Sequence, residues 1–143
     1  MAVKQISVFL ENRPGTLEEL TKIIAEAEID MRALSLAETK DFGIVRFIAD
    51  DAWETANLLK EKGYVAKLTS VLAVQVPDQV GGLNSLLHVL NEAGINIEYM
   101  YASLADKDDN TAYMILRVED VQKAEAALLA KGIETLDQET VSQ

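Results

Sequence analysis

Leu10-Glu11-Asn12-Arg13-Pro14-Gly15-Thr16-Leu17 decides the reading of this chain. Before it, Ile6, Val8 and Leu10 alternate with Ser7 and Phe9, a period of two that marks a strand with one buried face. Pro14-Gly15 breaks the strand. After it, Leu17, Leu20, Ile24 and Ala27 recur at helical spacing, and Ile23 widens the stripe. Thr16-Leu17-Glu18-Glu19 has the pattern of a capping box, with Thr16 as the expected cap and Glu19 reaching back. The stretch is therefore a strand-to-helix junction.

Working outward, the chain continues as two strands, a helix and a strand. Ile29 to Ala37 is expected as a strand, Lys40-Asp41-Phe42-Gly43 as a turn, and Ile44 to Ala49 as a third strand. Asp51 is placed to cap a helix whose buried face is Ala52, Ala56 and Leu59, and Gly63 to stop it. Tyr64 to Leu68 closes the series as a fourth strand. Then the pattern restarts. Val71 to Val76 alternates, Val76-Pro77-Asp78-Gln79-Val80-Gly81-Gly82-Leu83 is a second junction, and Leu83, Leu86, Leu90 and Ala93 form a second helical stripe. Strands are expected over 95–102, 112–118 and 133–136, a helix along Val121, Ala124 and Leu128, and a polar tail beyond.

The restart is a repeat. A shift of 66 positions carries Gly15 onto Gly81, Val8 onto Val74, Leu17 onto Leu83, Leu20 onto Leu86 and Ile29 onto Ile95. Past the strand-strand turn the shift becomes 69, carrying Asp51 onto Asp120, Leu59 onto Leu128 and Gly63 onto Gly132. A register held through strand, helix and stop signals marks a duplicated unit. The expected organisation is two units, 1–69 and 70–143, joined without a flexible linker. Each is a ferredoxin-like βαββαβ fold of the α+β class, with an antiparallel sheet and its helices on one face. Units of this size are marginal alone, so packing of copies on each other or on a second chain is expected.

Composition narrows the function. Of 143 residues, 49% are hydrophobic, enough for packed cores, and the net charge of −11 repels nucleic acid and anionic membranes. There is no cysteine, so thiolate nucleophiles and cysteine-based metal sites are excluded. His88 is the single histidine, on a helix, and its surface role outweighs catalysis or metal binding. The acidic turn Asp106-Lys107-Asp108-Asp109-Asn110 lacks the glycine and distal glutamate of a calcium loop and reads as a solvated hairpin. No metal or cofactor is expected. Met1 to Gln5 contains no signal-peptide core, and no apolar run reaches spanning length, so a cytoplasmic protein without membrane contact is expected.

With Ile29-Asp30-Met31 at the next strand, Glu11-Asn12-Arg13-Pro14-Gly15 resembles the ACT domain, a regulatory module that binds amino acids. It is similar to the serine-binding domain at the end of bacterial phosphoglycerate dehydrogenase. The resemblance covers both copies and implies a free-standing tandem of ACT domains. It implies ligand contacts at Asn12, Arg13, Pro14, Gly15, Thr16 and Leu17, and at Asp30 and Met31. In the second copy it implies Asp78, Gln79, Val80, Gly81, Gly82 and Leu83, with Asn96 and Ile97. Leu10 stands where the family carries a histidine, so that contact is lost and the particular amino acid stays open.

The chemistry suits such a ligand. A helix N-terminus offers free N–H groups and the positive end of a dipole to a carboxylate, while Asn or Asp side chains and loop carbonyls receive an ammonium. The expected partners are an amino acid, a second copy of the chain as a homodimer, and an enzyme that it regulates. The competing reading is a ligand-free dimeric scaffold or regulatory subunit. A third, enzymatic reading rests on acylphosphatases, which carry an Arg at this junction. Their glycine-rich phosphate loop is missing here, and Gln79 replaces Arg13 in the second copy.

Overall fold

The computed structural model describes residues 2–38, 40–77, 79–103 and 111–141. The chain divides into two compact units, Lys4–Thr69 and Ser70–Val141. The first contains β1 (Val3–Glu11) from Lys4 onward, α1 (Thr16–Glu26), β2 (Met31–Glu38), β3 (Phe42–Ala49), α2 (Ala52–Glu61) and the beginning of β4 (Val65–Pro77). The second contains the rest of β4, then α3 (Gly82–Glu92), β5 (Ile97–Ala102), β6 (Thr111–Val118), α4 (Val121–Ala130), β7 (Thr135–Leu136) and α5 (Gln138–Val141).

In the first unit the strands lie in the order β2-β3-β1-β4. In the second they lie in the order β5-β6-β4, with β7 on the other side of β4. Numbered within each unit, both orders read 2-3-1-4, the ferredoxin-like arrangement of two ACT units. Pairing is antiparallel: Val8 faces Val45 across β1 and β3, and Val74 faces Met114 across β4 and β6.

Alternation and helical period meet in each core. Ile6, Val8 and Leu10 of β1 pack with Val45 and Phe47 of β3, and Leu20 and Ile24 of α1 close over them. In the second unit, Leu72, Val74 and Val76 pack with Leu86 and Leu90 of α3 and with Leu116 and Leu128. Burying a side chain of this size stabilises the fold by about 1.5–3 kcal/mol, so these stripes specify which face each helix presents.

Several local expectations are corrected. Thr16 does not cap α1. Gly15 holds that position with a φ of 89°, and Thr16 is the first helical residue. Its hydroxyl donates instead to the carbonyl oxygens of Glu11 at 3.0 Å and Arg13 at 3.1 Å. Left-handed backbone is the conformation glycine adopts without a Cβ penalty. Tyr64–Leu68 and Val71–Val76 are not two strands but parts of one, β4. Nothing between them breaks extended backbone. Leu83 is exposed and Ala27 is an exposed C-cap, so neither joins its helix's buried stripe. The tail does not fade: Asp137 accepts the Thr140 N–H at 2.8 Å, and α5 buries Val141. Asp51 and Asp120 do cap α2 and α4, accepting N–H groups of Glu54 and Lys123 at 3.0 Å each.

Candidate functional site

Three local backbone bonds and one that crosses from the end of β1 to the turn before β3 build the first junction. Arg13 N–H donates to Glu11 O at 3.0 Å, Thr16 N–H to Arg13 O at 3.5 Å, and Glu19 N–H to Gly15 O at 3.0 Å. Asn12 N–H reaches across to Asp41 O at 3.2 Å. The second junction repeats the first three: Gln79 to Pro77, Gly82 to Gln79 and Ser85 to Gly81. Gly15 and Gly81 share left-handed φ values of 89° and 84°. The repeat is thus kept down to individual backbone bonds.

Beside the first junction lies an open cleft of about 370 Å³, within the usual range for small-molecule sites. Phe9, Glu11, Arg13 and Thr16 come from the junction, and Glu19 and Ile23 from the face of α1. The far wall is Lys62, Gly63 and Tyr64, where α2 ends. That wall is a helix stop: Gly63 takes a φ of 91°, Gly63 N–H donates to Lys60 O, and Tyr64 N–H to Leu59 O.

The cleft carries both signs of charge. Arg13 Nε donates to Glu11 Oε2 at 2.7 Å. That bond and the Glu11 charge raise the guanidinium's pKa, with Glu19 adding to it. Burial pushes the Tyr64 phenol above its usual value, and the Glu19 carboxylate pushes it further. Among the described residues, no salt bridge holds Lys62 or Glu19.

Of the residues implied for the first copy, Arg13 and Thr16 line this cleft. Asn12 is engaged elsewhere: its Nδ2 donates to Glu38 Oε1 at 3.0 Å, at the end of β2. Pro14 and Gly15 shape the turn, and Leu17 and Met31 pack against the core. Asp30 pairs with Arg32 at 2.9 Å. In the second copy, Val80 is fully exposed, Gly82 is buried and Ile97 packs on its core. Asn96 lines a separate cleft with Gly94, Glu119 and Lys123 at the start of α4. Asp78 and the turn Asp106–Asn110 lie outside the described residues. No sequence motif marks Phe9, Glu19, Lys62 or Tyr64 as cleft residues; Glu19 stands there only in the expected capping box. Gly63 stands in the 69-residue register, where it marks the helix stop.

Among the described residues, no group of His, Asp and Glu is placed to hold a metal ion, and no helix is long and apolar enough to cross a membrane.

Two ferredoxin-like units in register, each entered through a left-handed glycine at its first helix, define a tandem βαββαβ protein. The chain belongs to the ACT domain pair family, whose model matches residues 1–143. Among solved structures it is similar to protein BT0572 from Bacteroides thetaiotaomicron. The two share 34% identity over 100% of this chain and 97% of that one, with a TM-score of 0.93. It shares its fold with the regulatory subunit of aspartate kinase from Thermus thermophilus in the ligand-free form, at 19% identity, 90% coverage of both chains and a TM-score of 0.62. The corresponding subunit from Thermus flavus aligns at 19% identity over 89% of this chain and 88% of that one, with a TM-score of 0.63. No curated protein matches the sequence.

Proposed function

We propose that this ACT domain pair is a cytoplasmic amino-acid sensor that regulates a partner enzyme or pathway and has no catalytic role of its own. Residues 1–69 and 70–143 are its two ACT domains. The ligand binds at the β1–α1 junctions and the domain interfaces, with Asn12 to Leu17, Asp30 and Met31 serving the first copy. Gln79 to Leu83, Asp78, Asn96 and Ile97 serve the second. The observation that carries the reading is the first junction, where a left-handed glycine opens a helix beside a cleft holding both cations and carboxylates. A zwitterion on one carbon needs that pairing of opposite charges. The protein works as a homodimer, in which ligand shifts an equilibrium by its differential affinity for two states. A thermal-shift screen of the full chain against the twenty amino acids tests this, since a ligand that binds only the folded state raises its melting temperature. At least one amino acid is expected to do so. No binding by calorimetry at millimolar concentration overturns it.

One observation favours the second reading, a ligand-free scaffold or regulatory subunit. At the second junction the backbone closes on itself, with the Pro77 carbonyl occupying the place of a Cβ on Gly82. Under that reading a stoichiometric enzyme co-purifies with the chain, and no amino acid alters the complex.

A further inference from the structure

We infer that the cleft between the end of β1, the first turns of α1 and the α2–β4 turn receives an amino acid with an apolar side chain, and that each chain has one such site, in the first unit. This rests on the amino-acid reading above; it adds the class of side chain and replaces the two-copy contact set that includes Asn12 with a single site in the first copy.

Charge pairing inside the cleft determines what is left for a ligand. Arg13 is already paired with Glu11 at 2.7 Å. Lys62 and Glu19 face the same space without a salt bridge among the described residues. An ammonium from the end of α2 and a carboxylate from α1, lining one cleft, match the carboxylate and ammonium of a free amino acid. Each contact is then a charge-assisted hydrogen bond, the stronger kind. Phe9, Leu10, Ile23 and Tyr64 add carbon surface to the same lining. Their carbon surface favours an apolar side chain, because burying a polar one there leaves its donors and acceptors unpaired. The site is separate from Asn12, whose amide is bound to Glu38.

The second unit has lost this chemistry. The 66-residue register puts Pro77 where Glu11 stands, Gln79 for Arg13 and Ser85 for Glu19. The 69-residue register keeps Lys131 for Lys62 and leaves it without an opposing carboxylate at the matching position. Gly82 replaces Thr16, and the Pro77 carbonyl moves into the space of its missing side chain.

Calorimetry on the full chain tests the inference, with L-leucine, L-phenylalanine, L-serine and L-aspartate as probes, and leucinamide and isocaproate as single-charge controls. Leucine or phenylalanine is expected to bind at one site per chain. Removing either charged group of the ligand weakens binding by roughly tenfold or more, the effect of one charge-assisted bond. Glu19→Gln and Lys62→Met each weaken it similarly, and Lys131→Met leaves it unchanged. Two sites per chain, a preference for serine or aspartate, or binding lost in Asn12→Ala but unaffected by Glu19→Gln overturns the inference and leaves the amino-acid reading standing. Binding by none of the amino acids overturns both.

Discussion

Gly82 has no room for a side chain, because a Cβ there would overlap the carbonyl oxygen of Pro77. That oxygen belongs to backbone and cannot swing aside. Gly82→Ala is expected to lower stability by about 1–3 kcal/mol, the usual cost of overpacking, as read from urea unfolding. Gly15 differs, since nothing lies within 4 Å of where its Cβ would be. Gly15→Ala therefore costs only the left-handed backbone penalty, about 1–2 kcal/mol. Tyr64 offers a second probe at this scale. Its folded-state pKa is raised, so its contribution to stability is present below the ordinary tyrosine value of about 10. That contribution is lost as pH rises through the raised value. Glu19→Gln is expected to lower the Tyr64 titration midpoint, read by ultraviolet absorbance as the difference from Tyr64→Phe, because one cause of the upward shift disappears. An unchanged midpoint would show that burial alone raises it.

At the scale of the element, the two copies act as internal controls for each other. Asp51 and Asp120 cap α2 and α4 with the same geometry. Asp51→Ala and Asp120→Ala are each expected to cost about 1 kcal/mol by chemical denaturation. Leu20 and Leu86 occupy equivalent positions in α1 and α3, and both are buried. Leu20→Ala and Leu86→Ala should each cost roughly 2–5 kcal/mol, with the spread set by how far each core collapses into the space left behind. Helices α1 to α4, the stops at Gly63 and Gly132 and these two caps are legible in sequence, since each depends on neighbours within a few residues. The entry to α1 is not legible in the same way. Thr16 fits a capping box as well as it fits a first helical residue, and the two differ only in the backbone angle of Gly15, which residue types do not report.

For the molecule as a whole, β2 stands at the outer end of the first unit's sheet order, with Leu34 and Leu36 exposed on it. Such an edge is a pairing surface, in keeping with the homodimer proposed above. Sedimentation at micromolar concentration is expected to give twice the 15.7 kDa chain mass. A monomeric mass would contradict it. The duplication itself was readable from the shifts of 66 and 69, because each copy repeats the same local signals in the same order. The fusion of two predicted strands into β4 was half legible, as the absence of Gly or Pro between Val65 and Val76.

The sequence by itself determined the repeated βαββαβ order, the two junctions and the core stripes apart from Ala27 and Leu83, which are exposed. Periods of two and 3.6 need only local sterics and the tendency of apolar side chains to leave water. Tertiary structure alone decided that Lys62 and Tyr64, some fifty positions from Arg13, form the far wall of its cleft. It likewise decided that Asn12 turns toward Glu38, 26 positions along the chain. Each depends on how elements distant in sequence are set against one another by packing, and no local pattern of residues encodes that. At the junction, the sequence supplied the glycine and the charges, and the fold chose which of those charges face a common space.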